Sequence, residues 1–358
     1  MNLTFVGDFK PDFSHPQLGF LSNKRLVANL ECAVSNSSHA TAEKAHPVIY
    51  KPEAVLGLAN YPLAVISVAN NHVGDAGPEG LSEIRSLLAH LDGIAVTGTR
   101  DEPIAFIEIA GLRCAIIGSL EKCRARPREI SREEDVEGLI RSVRRDVDRI
   151  FVTPHWGKEG EYSLHYSPNQ RELARKWINA GADGIFGHHS HTVHGMEWIC
   201  NKPVFYSLGN FLFDHEESRQ HPLTRIGLAV EWNPLDPDGR EWLLHPMLSV
   251  SGSIQPLEGD ARHDWLKLFN ELSHWPSDGG AIANWIRWNR AVGRVYIPKS
   301  DRSWKKRLLT RNFKTRLLWL AWSLLPATLA LRAGARVPDR ASVELEQQLL
   351  KLISLVDA

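Results

Sequence analysis

Strands alternating with helices, and polar residues that recur just past strand ends, predict an α/β fold whose main sheet or sheets lie buried under helices. Length permits this, because 358 residues can bury a large core and still carry an appendage. The third observation is a break in composition near residue 255, which divides the chain into 1–255 and a helical, Trp-rich and basic extension over 256–358.

The elements follow in order. Residues 2–6 form an apolar-rich strand closed by Gly7-Asp8, and 26–30 form another closed by Glu31. Residues 63–69 are a continuous apolar strand closed by Asn70-Asn71-His72. From Pro78 to His90, Leu81, Ile84, Leu87, Leu88 and Leu91 recur at helical spacing behind an opening proline. Short strands are predicted at 94–97, 104–109 and 112–118, the last two joined by Ala110-Gly111 as a hairpin. A charged helix is expected from Ser131 to Asp148, with Val136, Leu139, Ile140, Val143 and Val147 on one face. A strand over 149–153 is closed by Pro154-His155-Trp156-Gly157, and a helix over 168–180 opens on Pro168 and is capped by Gly181. A short strand then ends at Gly187-His188-His189-Ser190-His191, followed by strands near 193–199 and at 203–208, the last closed by Gly209-Asn210-Phe211.

Composition narrows the classes of function. Lys+Arg and Asp+Glu each number 42, so no whole-chain field draws the protein to nucleic acid. Cys32, Cys114, Cys123 and Cys200 are scattered without CxxC spacing and are expected as free thiols, mostly buried. The N-terminus starts on a strand and has no basic and apolar leader, so the expectation is a cytoplasmic chain without a signal peptide.

Three imidazoles within four positions crowd like donors unless they converge on something electron-poor, usually a metal ion; a histidine-rich surface loop is the alternative. Asp8, Glu31, Asn71-His72, His155 and the His188–His191 group all follow strand ends, which weighs against the loop. Carboxylate, amide and imidazole donors without cysteine suit Zn²⁺, Mn²⁺ or Fe²⁺, and more than four ligands allow two ions about 3.5–4 Å apart. Such a pair polarises a phosphoryl or carbonyl oxygen and supplies a metal-bound hydroxide near neutral pH, with a histidine free to protonate the leaving group.

Gly7-Asp8, Asn29-Leu30-Glu31, Ala69-Asn70-Asn71-His72, His155-Trp156-Gly157, Gly187-His188-His189-Ser190-His191 and Tyr206-Ser207-Leu208-Gly209-Asn210-Phe211 resemble, in order and spacing, the motifs of the bacterial capsule synthesis family CapA. That family is associated with poly-γ-glutamate and belongs to the calcineurin-like metallophosphoesterase superfamily; the resemblance covers about residues 1–215. It implies a layered αββα sandwich with a dinuclear site. Asp8 would ligate the first ion, Glu31 would bridge, Asn71 and His155 would ligate the second, and His189 and His191 would be the final imidazoles. His72 would be the general acid. Where the superfamily opens with DxH this chain has Asp8-Phe9-Lys10, so one imidazole is absent. Glu31 stands where phosphoesterases carry Asp, and Ser190 where the capsule family carries Pro.

The remaining candidates have less support. Glu159 or Glu161 faces the site or lies in an exposed loop, His188 is expected behind the ligands, and Asn210 touches substrate or caps a turn. His165, His194, His215 and His221 are expected as surface or packing residues, and Trp156 as wall or core.

In the extension, Lys299 to Arg316 carries eight Lys or Arg and one acid, Asp301. Leu317 to Leu331 is apolar but interrupted by Pro326, short of the ~20 residues of a span. Two readings of 299–332 stand: a helix at a membrane surface, or a helical lid or dimer element whose apolar face packs on the catalytic domain. The functional expectation is a metal-dependent hydrolase acting on a phosphoester or anionic polymer. The alternatives are a non-catalytic accessory protein that binds anionic polymer, or an amide hydrolase on a glutamyl polymer.

Overall fold

The computed structural model describes residues 2–10, 18–36, 47–121, 127–157, 162–213, 222–250, 253–274 and 347–353. Its strands are β1 (Leu3–Phe9), β2 (Arg25–Leu30), β3 (Ala33–Val34), β4 (Ile49–Tyr50), β5 (Leu63–Ser67), β6 (Ala95–Thr97), β7 (Ile104–Ile109), β8 (Leu112–Leu120), β9 (Arg149–His155), β10 (Gly184–Phe186), β11 (Met196–Ile199), β12 (Lys202–Phe205), β13 (Ile226–Trp232), β14 (Trp242–Val250) and β15 (Ser253–Pro256). The helices are α1 (Pro52–Leu56), α2 (Gly77–Leu88), α3 (Val136–Val143), α4 (Pro168–Ala180) and α5 (Gly259–Ser273).

Thirteen strands form two large sheets, ordered β15-β14-β13-β1-β2-β5-β6 and β11-β12-β10-β9-β8-β7. In the six-stranded sheet four parallel strands lie between antiparallel β11 and β7, whereas in the seven-stranded sheet parallel β1, β2, β5 and β6 run to one edge and antiparallel β13, β14 and β15 form the other. The parallel strands are buried on both faces and accordingly read as near-continuous apolar runs. Phe5 and Val27 of one sheet and Phe151, Phe186 and Phe205 of the other share the core between the sheets. Phe5 and Phe186 stack across that seam at 3.6 Å between centroids. The outer face of the seven-stranded sheet packs Ile66 and Val68 against Leu81, Ile84 and Leu88 of α2. The outer face of the six-stranded sheet packs Ile117, Val152 and Ile185 against Ile140 of α3 and Trp177 of α4. The layers are therefore helix, sheet, sheet, helix.

Local signals place α4 where the sequence does. Ser167 Oγ accepts from the Gln170 amide, Gln170 Oε1 accepts from the Ser167 amide, and Pro168 opens the first turn. The expected helix from Ser131 shrinks to Val136–Val143. Backbone pairing wins at its start: Ile130 bridges Thr99, the Ser131 amide bonds Gly98 O, and Ser131 Oγ bonds Thr99 O. Cys32 and Cys114 are buried free thiols, whereas Cys200 sits exposed in the β11–β12 turn, against the expectation of burial. The turn itself is the reason, since Cys200 and Asn201 take positive φ at a two-residue hairpin tip.

After β12 the chain crosses between the sheets. Leu208 N–H bonds Gly187 O beside the six-stranded sheet, and then Asp8 N–H bonds Gly209 O and Phe211 N–H bonds Asp8 O beside the seven-stranded one. The approach is so close that a Cβ on Gly7 would lie 2.0 Å from Gly209 O. Trp265, Leu268, Phe269 and Leu272 of α5, with Leu349, Leu352 and Ile353, join the inter-sheet core. The start of the extension is thus packed on the sandwich. Segment 299–332 lies outside the described residues. No helix among the described residues is long and apolar enough to cross a membrane.

Candidate metal centre

The parallel strands of both sheets deliver their C-terminal ends to one edge. Asp8 is the next-to-last residue of β1, Glu31 follows β2 and Asn71-His72 follow β5; His155 ends β9 and His188–His191 follow β10. Asp8, Glu31, His155, His188, His189 and His191 are all buried. Asn71 and His72 stand at the partly open margin.

Asp8 ties the two sheets together. Its Oδ1 accepts from Asn29 Nδ2 at 2.8 Å and lies 3.2 Å from His188 Nδ1. Its Oδ2 accepts from the His189 backbone amide at 3.1 Å and lies 3.4 Å from His191 Nδ1. Burial raises the Asp8 pKa, but the His188 hydrogen bond and the imidazoles of His188, His191 and His155 outweigh it, leaving the carboxyl well below the usual range.

Around Glu31 the imidazoles converge on one oxygen. Oε1 is 3.6 Å from His155 Nε2, 3.8 Å from His191 Nε2 and 3.9 Å from His72 Nε2. His155 Nε2 also lies 2.8 Å from Asn71 Oδ1 and 3.0 Å from His189 Nδ1. Two donor sets result, Asp8–Glu31–His191 and Glu31–His155–His189, each with its ligand atoms within 4.8 Å of one another. The chemistry of these sets fits a borderline divalent ion: buried imidazole nitrogen and carboxylate oxygen lie beside the Asn71 amide oxygen, and no thiol is in either set. Burial, followed by the neighbouring His189, lowers the His155 pKa well below 6.5 while Asp8 opposes. The ring is therefore held neutral, the form that ligates.

Supporting contacts orient the rings. His191 Nδ1 lies 2.9 Å from Asn210 Oδ1, so it donates there and leaves the Nε2 lone pair toward Glu31. Asn210 Nδ2 bonds Thr224 O, so this side chain holds a ligand candidate and does not cap its own turn. His188 faces Asp8 and belongs to neither donor set. His189 and His191 have φ of 100° and 59°, a backbone form that non-glycine residues adopt at a cost of about 1–3 kcal/mol each. Glu159, Glu161, His215 and His221 lie outside the described residues. Trp156 is core: it stacks on Trp177 and its Nε1 bonds Tyr206 O. His165 and His194 are buried packing residues, not surface ones.

Three residues escaped the sequence reading. Asp75 Oδ2 lies 2.6 Å from His72 Nδ1 and also accepts the Val48 amide, fixing the ring with Nε2 toward Glu31. The signal was local, an acid three residues after the histidine. Asn29 Nδ2 bonds Asp8 and lies 3.2 Å from His155 Nδ1, linking the two sheets. Asn70 Oδ1 accepts the His72 and Val73 amides, and its Nδ2 bonds Leu30 O, which shapes the turn after β5. Both asparagines stand inside the motifs, but their partners are remote in sequence.

The chain has relatives among known proteins. The chain is 28% identical over 260 residues to the capsule biosynthesis protein CapA of Bacillus anthracis, covering 66% of this chain and 61% of the relative. It is 27% identical over 236 residues to the PGA biosynthesis protein CapA of Bacillus subtilis, covering 62% and 60%. A probable polyglutamine synthesis accessory protein of Mycobacterium tuberculosis is 26% identical over 270 residues, covering 67% and 70%. The match thus spans about three fifths of the length of the two Bacillus relatives. Among solved structures, a phosphatase from Mycoplasma pneumoniae superposes with a TM-score of 0.43 at 12% identity, covering 69% of this chain and 93% of that one. A putative 5'-nucleotidase from Staphylococcus aureus gives 0.42 at 11%, covering 77% and 59%. The model of the bacterial capsule synthesis protein family, PGA_cap, matches residues 8–215, more than half of the sequence, and the chain belongs to that family.

Proposed function

We propose that this chain is a metal-dependent hydrolase of capsule synthesis, acting on a phosphoester or related acyl centre of an anionic polymer. The observation that carries the reading is that Glu31 is shared by two donor sets in one buried cluster. Asp8, Glu31 and His191 would hold one ion; Glu31, His155, His189 and Asn71 would hold the other. When bound, such ions supply Lewis-acid polarisation and a nucleophile at neutral pH. His72 would deliver a proton from Nε2 to the leaving oxygen, with Asp75 keeping Nδ1 protonated and stabilising the imidazolium. The polymer context rests on the names of the relatives, which speak of capsule and PGA biosynthesis.

Metal content measured by mass spectrometry on wild type and a His189→Ala/His191→Ala variant, with turnover of an aryl phosphodiester in Mn²⁺ or Zn²⁺, tests the proposal. Bound metal and turnover, both lost in the variant, support it; a folded protein that takes no metal sinks it. A second reading, an accessory protein that binds anionic polymer without turnover, is favoured by one observation: Lys10 stands where the superfamily has a ligand histidine.

A further inference from the structure

We propose that a cavity at the opposite end of the sandwich from the metal centre binds a neutral sugar unit. The inference stands apart from the metal-centre reading. Arg149 opens β9, Asp183 precedes β10 and Lys202 opens β12, while Trp232 closes β13 opposite Leu3 of β1 and Trp242 opens β14. These residues meet where the parallel strands begin, and with Trp198 and Glu241 they line a cavity of about 340 Å³. Small-molecule pockets span roughly 300–1,000 Å³. Because β9 runs from Arg149 to His155, the cavity stands roughly 20 Å from the donor sets at the rise of a strand.

The walls combine indole surface with polar groups that the protein leaves unanswered. Trp198 is 57% exposed, and Trp242 is half-buried. Trp232 is wholly buried, and its Nε1–H has no acceptor among the described residues, a state that folded proteins rarely keep. The Arg149 guanidinium lies 5.9 Å from the Trp232 centroid and donates from Nη1 to Asp148 O at 3.1 Å; its other N–H groups meet no acceptor among the described residues. The half-buried Glu241 carboxylate has no partner among them either, so these two opposite charges share a cavity without pairing. Lys202 and Asp183, in contrast, satisfy each other at 2.7 Å.

The charged side chains of the lining are thus two of each sign, which excludes selection for an ion: an anion drawn to Arg149 meets Glu241, and a cation the reverse. An apolar ligand would strip water from both charges and replace nothing. A hydroxyl donates once and accepts twice, so neighbouring hydroxyls can answer Arg149 and Glu241 together. The C–H face of a pyranose is apolar and covers an indole, while its hydroxyls stand around the edge.

An array of neutral and charged glycans probed with the full chain, followed by calorimetric titration of the best ligand, tests this. Neutral glycans are expected to bind, with Trp198→Ala weakening affinity about tenfold and Glu241→Gln also about tenfold. Trp198 is mostly exposed and Glu241→Gln is isosteric, so both variants should fold, as thermal melts will check. No binding to any glycan, or binding that either variant leaves intact, overturns the proposal. So does a preference for charged glycans, or binding of L-phenylalanine or glycine betaine, zwitterions that match the two charges, without binding of sugar.

Discussion

The two sheets bring different chemistry to the same edge. The seven-stranded sheet supplies oxygen, through Asp8, Glu31 and Asn71; the six-stranded sheet supplies nitrogen, through His155, His188, His189 and His191. His72 is the imidazole that follows a strand of the seven-stranded sheet into this cluster. Neither sheet alone presents a complete donor set, because every set in the cluster draws on both. Assembly of the site is therefore a property of the seam between sheets, and the seam is where the comparison can be broken.

Phe186→Ala removes the ring stacked on Phe5 and should cost about 3–5 kcal/mol in urea unfolding. Metal affinity should fall with it, since the two donor layers lose their spacing. His72→Asn deletes the oxygen side's imidazole, and we expect kcat to drop about 10²–10⁴-fold with metal content unchanged. Asp75→Asn should act through the same ring, lowering kcat less and moving the basic limb of the pH–rate profile, where a general acid loses its proton, to lower pH. Bound metal should clamp one sheet to the other: Mn²⁺ at 100 times its Kd would raise unfolding stability by about 2.7 kcal/mol, an increment absent from His189→Ala/His191→Ala.

The sheets should also differ toward acid. His194, on the nitrogen side, is buried, and burial followed by the charge of His165 pulls its pKa down to about 3. Its unfolded form binds a proton below about pH 6.5. The unfolded chain thus holds the extra proton between those values, and stability falls as pH drops through that window, by at most about 1.4 kcal/mol per unit. On the oxygen side, Glu231 is held by His245 first, against burial, and then by Asn2 and Lys24, at a pKa of about 2. Its contribution is present above the ordinary glutamate value and is lost as pH falls toward about 2. His194→Gln should flatten the stability profile between pH 6 and 5, and Glu231→Gln should leave that interval unchanged. Urea midpoints across pH check both.

How much of this was legible follows from what each residue depends on. The parallel strands around Phe5, Val65, Phe151 and Ile185 could be read because burial on both faces forces continuous apolar runs. The strand-end donors could be read because the motifs are contiguous. Asp75 was equally local, three residues past His72, and needed only the question of what orients that ring. Asn29 was not legible in the same way, since its reach to His155 spans the two sheets. The helix expected at Ser131 failed because apolar periodicity does not reveal that Gly98 and Thr99 pair with that backbone. Strand β13 is an apolar run in plain view, but its place beside β1 is set by non-local pairing that no window of sequence contains.

The crossover at Leu208–Phe211 has a consequence for how the chain can change length. Its amides and carbonyls are committed to Gly187 on one side and Asp8 on the other, and Asn210 must arrive under His191. Because side chains along such a segment alternate, one inserted or deleted residue there would shift the phase of everything beyond it and turn Asn210 away from the ring. Variation in length is thus expected at the β11–β12 tip near Cys200 and Asn201, whereas Tyr206 to Phe211 should keep its residue count wherever the centre is kept.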